Sequence, residues 1–250
     1  NKELAEAESM RRDFSSNVSH EMKTPLQVIS GYAELMKNDM VLPEDRQKFA
    51  GLIYDEAQAM RGLINDVLTL SKLDESAFVR EERPIDVTSV ARRMAGRLES
   101  FAADEGVSIS VKGGSAHING SETLAEEMLY NLIENAVRYN HAGGSVSVRV
   151  SQGAVSGEVL EALRAAGAEP DPESVVTVRV SDTGAGIPEE MREKVFERFF
   201  RLDKSRSKET GGTGLGLAIV KHAVQYHHGT ICVEGAQGEG TTFVLRLPAA

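Results

Sequence analysis

The stretch Phe14-Ser-Ser-Asn-Val18-Ser-His20-Glu21-Met22-Lys-Thr24-Pro25-Leu26 combines a helical apolar stripe with a histidine that lies off it. Val18, Met22, Leu26, Ile29, Ala33 and Met36 follow one another in steps of three and four, the spacing of a long amphipathic helix that starts well before Phe14. His20 falls two positions after Val18 and two before Met22, about 200° from the stripe at ~100° per residue, and therefore faces solvent. A lone histidine is ordinarily packing or surface filler. Here Glu21 sets a carboxylate beside the imidazole, and Pro25, which has no N–H to offer the Glu21 carbonyl, favours a kink just after His20. An exposed neutral imidazole with one ring N–H held by a carboxylate keeps its other nitrogen free as a nucleophile, which suits phosphoryl transfer.

Past a turn at Asn38-Asp39 and Pro43, with Glu44 and Asp45 suiting a helix start, a second stripe runs through Phe49, Ile53, Ala57, Met60, Ile64, Val67 and Leu70. Two long helices thus form a hairpin. Alone it leaves its apolar face half covered, so packing against a second copy as a four-helix bundle, a homodimer, is expected. Residues 74 to 84 lose the period and carry mixed charge before Pro84, which reads as a hinge at 77–84 between a domain at 1–76 and another at 85–250. Beyond it helix and strand alternate: helices near 88–104, 121–139 and 215–226, with strands near 107–111, 145–151, 175–181, 230–234 and 241–247. This is an α+β pattern. Val176, Val178 and Val180 alternate with Thr177 and Arg179 as in a strand with one buried face, and the insertion 153–174 predicts a short helix plus a loop without evident chemistry.

The chain's 250 residues, 41% of them hydrophobic, suffice for two compact cores. A formal net charge of -10 and the lack of any Lys/Arg run exclude a dominant nucleic-acid surface. Cys232 is a single cysteine in an apolar run, so no intramolecular disulfide forms and a reducing cytoplasm fits. No stretch approaches the ~20 apolar residues of a membrane span. The charged helical opening without an initiator methionine reads as a piece of something longer.

Within the helix near 121–139, Asn131, Asn135 and Arg138 stand at i, i+4 and i+7, with Leu129, Leu132, Ile133, Ala136 and Val137 on the buried side. Asparagine is a poor helix-interior residue, so two on one face favour a ligand over a merely solvated stripe. A side-chain carbonyl suits Mg²⁺ and a guanidinium suits phosphate. Asp182-Thr-Gly184-Ala-Gly186-Ile-Pro188 follows a strand, where glycines let backbone approach a ligand and a carboxylate can read the exocyclic amine of adenine. Gly211-Gly212-Thr-Gly214-Leu215-Gly216 leads into an apolar helix whose N-terminal N–H groups suit phosphates, although no Lys follows the last glycine as in a Walker loop.

In combination these segments resemble the sensor histidine kinase family, whose H, N, G1, F and G2 boxes occur here in that order: Phe14 to Leu26, Asn131 to Tyr139, Asp182 to Pro188, Phe196-Glu-Arg-Phe-Phe-Arg201, and Gly212 to Leu217. The resemblance implies an α+β protein in which a helical hairpin, dimerising into a four-helix bundle, precedes an α/β sandwich ATP-binding domain of the Bergerat fold. It implies that ATP phosphorylates His20 with Glu21 as base or orienting partner, and that the phosphoryl group passes to an aspartate of a response regulator. On the same footing Asn135 is the Mg²⁺ ligand, Asn131 and Arg138 contact phosphates, Tyr139 flanks the nucleotide and Asp182 binds the adenine amino group. Gly184, Gly186, Gly212, Gly214, Leu215 and Gly216 shape the pocket; Arg201 or Arg206, beside an ATP lid at 202–211, reaches the γ-phosphate. Thr24, one turn from His20, is expected to serve in dephosphorylating the regulator. The full-length protein is expected to be anchored in a bacterial membrane upstream of residue 1, with this part in the cytoplasm. Arg138 stands where the family often has Lys, which keeps the charge. His117, His141, His222, His227 and His228 lack a matched metal constellation. Two rivals remain: an ATP-driven clamp on the same nucleotide fold, which would carry no acid-labile phosphate, and a dimeric scaffold with a dead pocket, which would bind no ATP.

Overall fold

The structure, a computed structural model, describes residues 2–74, 83–171, 174–202 and 212–250, apart from the side chains of 2–11, 13 and 74. Helix α1 (Lys2–Lys37) runs through Pro25, and α2 (Arg46–Asp74) returns beside it after a 3-10 turn at Pro43–Asp45. Asp39, at φ 52, makes the reversal and accepts from Arg46 at 2.6 Å. Among the described residues no helix is long and apolar enough to cross a membrane.

The second part follows the expected alternation. Its elements are β1 (Arg83–Asp86), α3 (Val87–Arg97), α4 (Glu99–Asp104), β2 (Ser108–Lys112), β3 (His117–Gly120), α5 (Glu122–Arg138), β4 (Ser145–Gly153), α6 (Gly157–Ala165), β5 (Val175–Asp182), α7 (Gly216–Tyr226), β6 (Thr230–Gly235) and β7 (Thr241–Pro248). A five-stranded sheet has the order β2-β4-β5-β7-β6; β2 runs parallel to β4, and the other neighbours are antiparallel. Val176, Val178 and Val180 are fully buried, as their alternation predicts. Most of the hinge segment lies outside the described residues, but Arg83 and Pro84 already belong to β1. The β1–β3 pair is a feature the sequence reading missed: each strand has four residues and one apolar inward position, Ile85 opposite Ile118, too few for a period to emerge.

Helix α5 lies between α3 and α7 over β4 and β5. Leu124, Ala125, Met128, Leu129, Leu132, Ile133, Ala136 and Val137 form its buried face, each large side chain contributing about 1.5–3 kcal/mol of burial. With that face fixed against the sheet, Glu127, Asn131, Glu134, Asn135 and Arg138 point the other way and line a cavity. Helix α3 starts at Asp86, whose carboxylate accepts from the Thr88 and Ser89 N–H groups. The insertion holds α6 against a small core of Leu160, Leu163, Ala168 and Val175. His227, buried at the end of α7, accepts from the Ser121 N–H at 3.3 Å and bonds the Ala223 carbonyl at 2.7 Å.

A second apolar core joins the hairpin to the sheet domain. Leu63 and Leu70 of α2 are buried with Leu215, Ala218 and Ile219, and Phe14, Met22, Val67 and Phe199 pack around them. Val67 and Leu70 keep to the expected α2 stripe, and Leu63, 5% exposed, joins them on the face toward the sheet domain, whereas Ile64 is 37% exposed.

Candidate active site

The cavity on the polar face of α5 has a volume near 390 Å³. Helix α5 supplies Glu127, Asn131, Glu134, Asn135 and Arg138, with Tyr139 just beyond it; the loop before α7 supplies Gly212, Thr213, Gly214 and Gly216; Phe200 and Arg201 close a third side. The fourth side comes from the hairpin: Gln58, Ala59, Gly62 and Asp66 of α2.

Close approach explains Gly214 and Gly216. A Cβ on Gly216 would lie 2.5 Å from the Asn131 carboxamide oxygen, and Gly214, at φ +70, would bring one within 2.9 Å of the Phe199 Cα. Phe199 is itself held at φ 62, donates its N–H to the Gly214 carbonyl at 2.8 Å, and rests its ring 5.8 Å from that of Phe14. The first N–H groups of α7 have no intrahelical acceptor and carry the positive end of its dipole. Leu215 does not line the cavity; its side chain is fully buried in the core shared with α2.

Charged groups meet across the two parts of the chain. The Arg201 guanidinium donates to the Glu21 carboxylate at 2.9 Å. Thr213 donates its hydroxyl to Asp66 at 2.8 Å and accepts the Leu215 N–H at 3.2 Å. Burial pushes the Asp66 carboxyl up to about 6, against the Thr213 hydrogen bond, with Glu127 and Glu134 adding repulsion. Burial likewise raises Glu127. Arg138 pairs with Glu134 at 2.7 Å and stacks over Phe101, and the Asn131 amide donates to the Glu127 carbonyl at 2.8 Å.

The expected site residues do not all fall in one place. Asn131, Asn135, Arg138, Tyr139, Arg201, Gly212, Gly214 and Gly216 line the cavity, whereas Asp182, Gly184 and Gly186 stand outside its lining. Asp182 is half-buried at the end of β5, where burial raises its carboxyl and the N–H groups of Gly184 (2.8 Å) and Thr241 (3.1 Å) hold it. Gly184 packs against the Tyr139 carbonyl, so the two segments adjoin. His20 and Thr24 are exposed on α1, the Thr24 hydroxyl 3.5 Å from the His20 carbonyl. Arg206 lies outside the described residues. Asp66 and Thr213 escaped the sequence reading. The available signal was a carboxylate at the i+3 position between Leu63 and Leu70, on a seam that is otherwise apolar.

The donor set suits a magnesium nucleotide: the Asn135 carbonyl is a hard oxygen, and the cavity is flanked by glycine backbone and a helix N-terminus where phosphate oxygens find N–H groups.

Residues 120–250 match the family described as histidine kinase-, DNA gyrase B-, and HSP90-like ATPase, and residues 10–76 match the His Kinase A (phospho-acceptor) domain. The sensor-like histidine kinase SenX3 of Mycolicibacterium smegmatis is 34% identical over 247 residues, which are 98% of this chain and 59% of that protein. The chain thus spans little more than half the length of such a relative. The crystal structure of full-length ShkA in complex with AMPPNP aligns with a TM-score of 0.64 at 28% identity, covering 94% of this chain and 45% of ShkA. Histidine kinase ThkA, in complex with the response regulator protein TrrA, aligns with a TM-score of 0.72 at 22% identity over 98% of this chain and 64% of ThkA, a likeness of fold.

Proposed function

Since the chain belongs to the histidine kinase-, DNA gyrase B- and HSP90-like ATPases and carries a His Kinase A phospho-acceptor domain ahead of that part, as the catalytic core of a sensor histidine kinase does, we propose that it phosphorylates its own His20 from ATP. The observation that carries this reading is the Glu21–Arg201 ion pair, which ties the residue beside the acceptor histidine to the wall of the nucleotide cavity.

In the reaction a ring nitrogen of His20 attacks the γ-phosphorus, an N–P bond forms as the P–O bond to ADP breaks, and Glu21 orients the imidazole and takes its proton. Glu21 is held by Arg201, so the arginine must exchange that carboxylate for the incoming phosphoryl oxygens. The N-terminus of α7 and Arg138 hold the polyphosphate, and Asp182 takes the adenine amino group. Mg²⁺, bound through Asn135, would supply charge neutralisation of the phosphate oxygens.

A response regulator is the acceptor of the phosphoryl group; ThkA, whose fold this chain shares, is seen with one. A homodimer is supported by the apolar side chains left open on the hairpin, Leu26 and Leu68 at 52% and Tyr54 at 63% exposure. Thr24 serves in dephosphorylating the regulator, and the complete protein is anchored in the membrane upstream.

Incubation with γ-labelled ATP should give acid-labile, base-stable phosphate on the protein. The variant His20→Gln should lose it while binding ATP nearly as before, since nucleophile and cavity sit on different elements. Labelling of that variant at the wild-type level would sink the assignment.

A further inference from the structure

Asp66 stands on the buried seam of α2, three residues after Leu63 and four before Leu70. Its carboxylate is offered to the hydroxyl of Thr213, which at the same time accepts the N–H of Leu215, the residue that opens α7. One hydroxyl thus links a negative charge on the hairpin to the helix end where a polyphosphate finds its N–H donors. Glu127 and Glu134 line the same cavity, Glu134 paired with Arg138, and both add repulsion at Asp66. A carboxylate and a polyphosphate compete for one positive helix end, because each repels the other across a partly desolvated space.

We propose that Asp66 is a charge gate on the polyphosphate end of the cavity: it fastens the loop before α7 to α2, and a bound nucleotide must displace it to the extent that its β- and γ-phosphates reach the N-terminus of α7. This rests on the reading of the cavity as an ATP site. Displacement breaks the Asp66–Thr213 bond, so occupation by ATP also frees the loop from the hairpin. AMP, which lacks the β- and γ-phosphates, leaves the bond in place.

The test is the binding of Mg·ATP, Mg·ADP and AMP to the whole chain and to two variants. Asp66→Asn removes the charge but keeps an acceptor for Thr213; Asp66→Ala removes both. Both variants should bind Mg·ATP about three- to tenfold more tightly, Mg·ADP with a smaller gain, and AMP as the wild type does. Amide exchange at 215–218 should rise in Asp66→Ala without nucleotide. Unchanged ATP affinity in both variants overturns the gate while leaving the ATP site intact, and an equal gain for AMP replaces it with general loosening. If the wild type binds none of the three nucleotides, the reading of the site fails and the gate falls with it.

Discussion

The Arg201 guanidinium lies 2.9 Å from the Glu21 carboxylate, joining residues 180 positions apart across the contact between hairpin and sheet domain. Their side chains are only 19% and 35% exposed, so neither charge is fully hydrated and removing one partner leaves the other poorly compensated.

A double-mutant cycle of Glu21→Gln and Arg201→Ala should therefore be non-additive in urea unfolding, with a coupling of about 0.5–2 kcal/mol. In the labelling assay Arg201→Ala should lose about tenfold or more, and Arg201→Lys should recover part of it, since the charge returns without the planar fork. Strict additivity together with wild-type labelling would leave the pair without a role.

Asn135→Ala should abolish Mg²⁺-dependent nucleotide binding, because the hard oxygen is lost while alanine preserves α5. Titration with and without Mg²⁺ measures this. An affinity for Mg·ATP equal to that of the wild type would move the metal to another ligand.

Thr24→Ala should autophosphorylate near normally yet lose most activity in dephosphorylating a regulator. The Thr24 hydroxyl reaches back only weakly to the His20 carbonyl and sits one turn from the imidazole on an exposed face, where it can hold a water. Parallel loss of both activities would instead indicate a role in shaping the helix before Pro25.

Asp86 should make the sheet domain sensitive to acid. Desolvation raises its carboxyl, but hydrogen bonds from Ser115, Ser89 and the Ser89 and Ala116 N–H groups outweigh this and hold it down to about 2. A carboxyl lowered in the folded state contributes stability that is present above its unfolded value near 3.8 and is lost as pH falls toward 2. Asp86→Asn, which still caps α3, should flatten that fall in urea unfolding between pH 4 and 2. Asp86→Ala should in addition cost about 1 kcal/mol at neutral pH through the lost cap. An unchanged acid limb in Asp86→Asn would assign the sensitivity elsewhere.

The periods of α1, α2, α5 and α7 and the alternation of β5 are written in the chain itself, because the side chains that set them lie within one or two turns of each other. So are the polar face of α5 and the exposed His20, which need only the helical pitch. The β1–β3 pair was not legible, since four-residue strands carry no period. Neither was the α2 seam at Leu63: only packing against Ile219 and Leu215 decides which of two adjacent apolar residues turns inward. The hydrogen bond from Thr213 to Asp66 spans 147 residues, and that from Arg201 to Glu21 spans 180. Local pattern determines which residues share a face. Which face meets which, and hence that a carboxylate of the hairpin stands in the wall of the nucleotide cavity, follows from long-range burial that no short window of sequence contains.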